Sequence, residues 1–300
     1  MKFCKFSIVF ALVLNACDAS STVAPAGAVD AADAAQASDT ALGDTTTADV
    51  AASDTAAAGG SIAIYLQGDQ LPVVFSDGLQ GQTPTDFQVA LSRYHVLKAA
   101  DDPAPQPCFD HGNQPTVANL AGDTLMGQCP TAAIATGTYT HGRVKVDWVR
   151  YSVLGQLHYN GMVLPGKFTF LRAYSNTSVD GKPLQAGAGT LHFRDTSGAV
   201  DTEIPYSYPP VQQMPGVATQ LVDGEFLMTF AYTKPLPVLQ NAAGQYWARF
   251  HWQVWQAFRW QDSDTAGNSA GAWDVAAPPA PSESVIFAGA TGYSVTTSLD

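Results

Sequence analysis

The sequence predicts an all-β protein, an antiparallel β-sandwich with a partly closed β-barrel as runner-up, following a disordered N-terminal tether. Two observations carry the fold class. Apolar residues recur at alternate positions, the period of a half-buried strand, and helical spacing is almost absent. The alternating runs are short and broken by Gly, Pro, Asn and Asp clusters, the residues of turns. A third observation sets where folding starts. Residues 18–60 hold seven acids, no Lys or Arg and no aromatic residue, too little apolar surface to offset the entropy of ordering.

The chain begins Met-Lys-Phe-Cys-Lys, with two cations and no acid, and continues with the apolar run Phe6–Leu14. A run of nine residues is too short for a membrane-spanning helix, which needs roughly 20. A positive flank, a short apolar core and a small residue before the cut are the parts of a secretory signal. Its end, Leu14-Asn15-Ala16-Cys17, resembles the lipobox of bacterial lipoproteins. Leu14, Ala16 and Cys17 match that pattern, and Asn15 departs from it toward a larger residue. The resemblance implies a diacylglyceryl group on the Cys17 thiol, cleavage before Cys17 and acylation of the new amino group. Residues 1–16 are then a signal peptide.

Residues 17–60 read as a lipid-anchored, self-repelling tether rich in Ala, Asp and Thr. Its composition is similar to tethers of surface lipoproteins from myxobacteria and related groups. That resemblance favours an exported protein at the outer membrane or cell surface over the inner membrane.

From Ser61 to Asp300 there are 12 basic and 19 acidic residues. An acidic body gives no electrostatic reason to bind nucleic acid. This length suits one β domain, or two sub-domains dividing near 155–185. The first strand, Ser61–Gln67, places Ile62, Ile64 and Leu66 on one side. Asp86–Ala100 turns Phe87, Val89 and Leu91 inward and then Tyr94 and Val96, a change of face that predicts a bulge near Ser92. Gly142–Leu154 alternates Val144, Val146 and Trp148 against Arg143, Lys145 and Asp147. Further runs are Gln156–Val163, Lys167–Tyr174, Gly189–Arg194, Glu203–Tyr208, Gln220–Val222, Glu225–Tyr232, Val285–Phe287 and Tyr293–Thr297. Gln245–Gln261 predicts one long strand, with Tyr246, Ala248, Phe250, Trp252, Val254, Phe258 and Trp260 on its buried face.

Three stretches, 87–96, 117–122 and 137–146, resemble a group of bacterial lipoprotein domains with a transthyretin-like or immunoglobulin-like β-sandwich. They are Phe-Gln-Val-Ala-Leu-Ser-Arg-Tyr-His-Val, Val-Ala-Asn-Leu-Ala-Gly and Gly-Thr-Tyr-Thr-His-Gly-Arg-Val-Lys-Val. The likeness implies fold and location, and no chemistry.

Cys4 leaves with the signal and Cys17 carries lipid, so Cys108 and Cys129 remain. An even pair in an exported domain predicts one disulfide. Two sites stand out beyond it. Trp247 and Trp255 share the polar face of the long strand with Arg249 and His251, about 26 Å apart at strand rise, an arrangement that could stack on sugar rings. Asp262, Asp264 and Asn268 resemble the opening of a calcium loop, with acids at positions one and three and Gly267 at six. Ala266 and Trp273 replace the ligands at five and twelve, and an Asx-rich turn explains the same letters.

No Gly-x-Ser-x-Gly, His-Glu-x-x-His, phosphate loop or dinucleotide fingerprint occurs. The expectation is a lipid-anchored extracytoplasmic protein with a structural or interaction role and no catalysis, binding an unidentified protein or glycan. A carbohydrate-binding module is the first alternative and a hydrolase the second. No cofactor is expected apart from the calcium candidate.

Overall fold

The computed structural model describes residues 59–207, 214, 216–240, 243–263, 267–276 and 282–298, apart from the side chains of residues 204 and 206. Residues 1–58, which include the expected signal and most of the expected tether, lie outside the described residues. The body is all-β, as the alternation predicts, with mainly antiparallel sheets and a main sheet curled like half a barrel.

The main sheet is built on β7 (Gly137–Tyr159), a strand of 23 residues. Along one edge it pairs first with β14 (Glu225–Val238) and then with β8 (Met162–Ala173). Along the other it pairs with β3 (Thr85–Leu97) and then, in parallel, with β17 (Asp274–Ala276). β11 (Ala188–Asp195) and β12 (Asp201–Ser207) extend the β8 side, and β13 (Val217–Val222) extends the β14 side. β4 (Gln106–Asp110) and β5 (Thr116–Asn119) pair with β3. Register shifts flank Leu91 in the β3–β7 ladder. This is the bulge the sequence predicts near Ser92, and bulges bend and twist a strand.

Facing this sheet is a four-stranded sheet in the order β19 (Gly292–Thr297), β15 (Gln245–Gln253), β1 (Ser61–Asp69), β6 (Asp123–Pro130). β1 and β15 run parallel, whereas the outer pairs are antiparallel. Every second residue of β1 and β15 is buried: Ile62, Ile64, Leu66, Ala248, Phe250 and Trp252. Phe250 packs edge-on to Tyr94 of β3 and Phe230 of β14, with centroids 5.8 and 5.1 Å away. Each such buried ring stabilises the fold by about 1.5–3 kcal/mol. One hydrophobic cluster runs from Ile62 to Val295. It includes an aromatic group of Phe168, Phe170, Phe193, Phe258 and Trp273 under the β8–β11 half.

Two predicted runs are corrected. Gln156–Val163 is not one strand. Asn160 and Gly161 adopt φ of 50° and 75° and turn β7 into β8. Asn-Gly suits the left-handed positions of a tight hairpin turn.

Gln245–Gln261 is two strands, β15 and β16 (Phe258–Trp260). β16 belongs to a separate small sheet with β2 (Gln80–Gln82) and β18 (Val285–Ala288). The break comes where β1, the parallel partner of β15, also ends. The Val254 amide donates to Asp69 O at 2.7 Å, and Gln256 turns the chain at φ 44°. Residues 254–257 are four in number, so the turn preserves the apolar parity on which the single strand was read. Arg259, which shares the parity of the polar face with Trp247, Arg249, His251 and Trp255, is buried at 3 % exposure.

Candidate interaction site

Cys17 lies outside the described residues. Cys108 and Cys129 are disulfide-bonded, with Cα atoms 5.1 Å apart. Cys108 sits on β4 of the main sheet and Cys129 on β6 of the four-stranded sheet. The bond therefore staples the two facing sheets at one edge, where Cys129 enters the core and is 1 % exposed.

The open face of the four-stranded sheet gathers three of the four residues read as a sugar platform. Trp247, Arg249 and His251 alternate along β15 and are half-buried. Parallel register sets Tyr65 of β1 beside Arg249. The Arg249 guanidinium lies 5.2 Å from the ring centres of both Tyr65 and Trp247, and its Nη2 donates to Asp123 at 2.9 Å. His251 contacts Thr296 Oγ1 at 2.9 Å. Burial, then the neighbouring Arg249 charge, lowers its pKa. The aromatic rings are thus already engaged by a cation held in place by a carboxylate. Trp255 is separated from this face by the break after Gln253, so the pair spaced along one strand does not form.

Trp255 instead joins the loop that follows β1. The Gln253 side chain links the two: its Nε2 donates to Leu71 O at 3.2 Å, and its Oε1 accepts from Trp255 N at 2.9 Å. The loop from Gln70 to Leu79 is held at both ends. Asp69 Oδ1 accepts from Leu71 N at 2.9 Å, and Asp77 Oδ1 accepts from Leu79 N at 3.2 Å. Arg259 donates from Nε and Nη2 to Asp77, donates from Nη1 to Gln256 Oε1 at 2.9 Å, and stacks on Phe75 at 3.9 Å. Between these clamps Leu71 is 70 % exposed, Val73 39 % and Val74 95 %. The sequence gives this loop no strand and no charge between Asp69 and Asp77. Its apolar letters, Leu-Pro-Val-Val-Phe, read as ordinary core residues, so its exposure is visible only in the structure.

The calcium candidate is partly described. Asp262 accepts from Gly271 N at 3.0 Å and 3.2 Å, and Asn268 Nδ2 donates to Ser263 Oγ at 2.7 Å. Asp264 lies outside the described residues. Nearby, Asp274 is buried and accepts from Ser269 N at 2.7 Å and from His158 Nε2, while the Glu283 carboxylate accepts from Ser263 N and Asp274 N at 2.8 Å each. Burial, followed by the Asp274 and Asp262 charges, raises the Glu283 pKa against those bonds. Among the described residues no group of three or more His, Cys, Asp or Glu is placed to hold a metal ion.

A cleft of about 320 Å³ opens where the hairpin β9 (Thr177–Val179) and β10 (Lys182–Leu184) lies against the main sheet. Its ionic groups face one another: Arg150 binds Asp180 at 2.6 Å and Lys182 approaches Glu203 at 3.9 Å.

Comparison with protein-family models, curated proteins and solved structures finds no match.

Proposed function

We propose that this chain is an exported, lipid-anchored protein that acts by binding and catalyses nothing. Cys17 carries the lipid and the β body meets the partner. The observation that carries the reading is the division of the cysteines. Cys17 closes a lipobox-like sequence, while Cys108 and Cys129 form an inter-sheet disulfide, a bond suited to an oxidising compartment. The acidic segment between Cys17 and the body has the composition of a spacer. The tether's likeness to those of surface lipoproteins favours the outer membrane or cell surface over the inner membrane.

The test is metabolic labelling with a clickable palmitate analogue in a bacterial host. The wild-type chain is expected to take up label and to sediment with membranes. Cys17→Ala is expected to lose both. An unlabelled wild type contradicts the proposal.

Carbohydrate binding is the second reading, favoured by the half-buried Trp247 and Tyr65 on an open sheet face. It ranks below the first because Arg249 already covers both rings and Trp255 lies elsewhere. Hits on a glycan array that disappear in Trp247→Ala would reverse that order.

A further inference from the structure

The geometry points to the loop Gln70–Leu79, with Trp255 beside it, as a crest that dips into the apolar layer of a lipid bilayer. This rests on the lipid-anchored reading above and goes beyond it, because it assigns the body a second, non-covalent membrane contact. Leu71, Val73 and Val74 present aliphatic carbon to solvent at 70, 39 and 95 % exposure, where water contact is costly. Disorder of the tip is opposed from both sides, by the Asp69 and Gln253 bonds at one end and the Arg259–Asp77–Phe75 assembly at the other. Pro72 removes one backbone donor. The side chains from Leu71 to Phe75 offer a protein partner no directional group. Acyl chains require no directional bonds.

The charge pattern fits the same occupant. The body is acidic, with 12 cations against 19 acids, yet this loop carries no charge from Gln70 to Ser76, and Asp77 is neutralised by Arg259. The Trp255 backbone amide is tied to the loop's base through Gln253, and its side chain is half-buried. Tryptophan is the residue that favours the boundary between headgroups and acyl chains. An acidic body also sets the lipid: a zwitterionic bilayer, because an anionic one repels it.

Reach allows the contact. The chain enters β1 at Ser61, and the crest follows the other end of that nine-residue strand, about 30 Å away. The tether expected from the sequence, 44 residues from Cys17 to Gly60, would span roughly 35 Å root-mean-square as a flexible chain.

The experiment is vesicle flotation with phosphatidylcholine vesicles, using residues 17–300 with Cys17→Ser so that no acyl chain contributes. Among the described residues, every buried hydrophobic side chain lies between Ile62 and Val295, all of them retained in this chain. We expect it to float with the vesicles, and Leu71→Asp/Val74→Asp to lower the partition at least tenfold with unchanged circular dichroism. Val222→Asp, at an exposed apolar site on β13, is the control and is expected to float like the parent. Absence of flotation by the parent overturns the inference, as does equal flotation of the double variant. Failure of the anchor reading would show separately, as a native chain without acyl mass on Cys17.

Discussion

Arg93 organises the outer side of the main sheet. Its guanidinium donates to both oxygens of Glu225, at 2.7 and 3.0 Å, and its Nε donates to Asp110 at 2.8 Å. Lys145 approaches Glu225 and the buried Asp147 at 3.5 and 3.4 Å. A planar fork matching a carboxylate in this way is specific to arginine. Arg93→Ala is expected to destabilise the fold by about 1–3 kcal/mol, and Arg93→Lys to recover only part of that, measured by urea unfolding at pH 7. The pH dependence has a definite sign. The hydrogen bond from Arg93, opposed by burial, lowers the Glu225 pKa, so the unfolded chain takes up this proton first as pH falls. The pair's contribution is complete above the ordinary glutamate value of about 4.3 and is lost below it. Glu225→Gln should remove that part of the acid-side loss; an unchanged acid slope would contradict the assignment. None of these partners was legible in the sequence, because they lie up to 132 positions apart and meet only through strand register.

At the scale of elements, the alternation located β1, β3, β11, β14 and β19, since each has one face on a shared core and the side-chain period of a strand is two. It misjudged β15 and β16 for the same reason: a four-residue turn keeps parity, so two strands in different sheets imitate one. The Asn160-Gly161 hairpin was present as a signal and was overridden by the apolar residues on either side. β4 and β6 escaped the alternation; they meet at the disulfide, where Cys129 takes a core position. The disulfide itself was legible from cysteine count alone, but its role as a staple between facing sheets was not. Its loss, with a sequence separation of 21, is expected to cost about 3 kcal/mol in the loop-closure picture. For a body of this size that corresponds to a fall in Tm of about 6–12 °C, read by calorimetry of Cys108→Ser/Cys129→Ser. An unchanged Tm would mean that core packing alone holds the two sheets together at this edge.

At the scale of the molecule, the sequence separated a body fit for folding from a segment without the apolar surface to fold; among the described residues the buried hydrophobic core runs from Ile62 to Val295. The candidate sites were less legible. Trp247, Arg249 and His251 were assembled as read, whereas the crest of Leu71, Val73 and Val74 was hidden because exposure of aliphatic residues is a property of tertiary structure. The proposed arrangement is a lipid at Cys17, an acidic spacer and a stapled β body. Its most direct test is mass spectrometry of the N-terminal peptide of the chain purified from bacterial membranes. The account predicts a chain beginning at Cys17 that carries a diacylglyceryl thioether and an acylated amino group. An intact N-terminus, cleavage at another position or an unmodified Cys17 would contradict it.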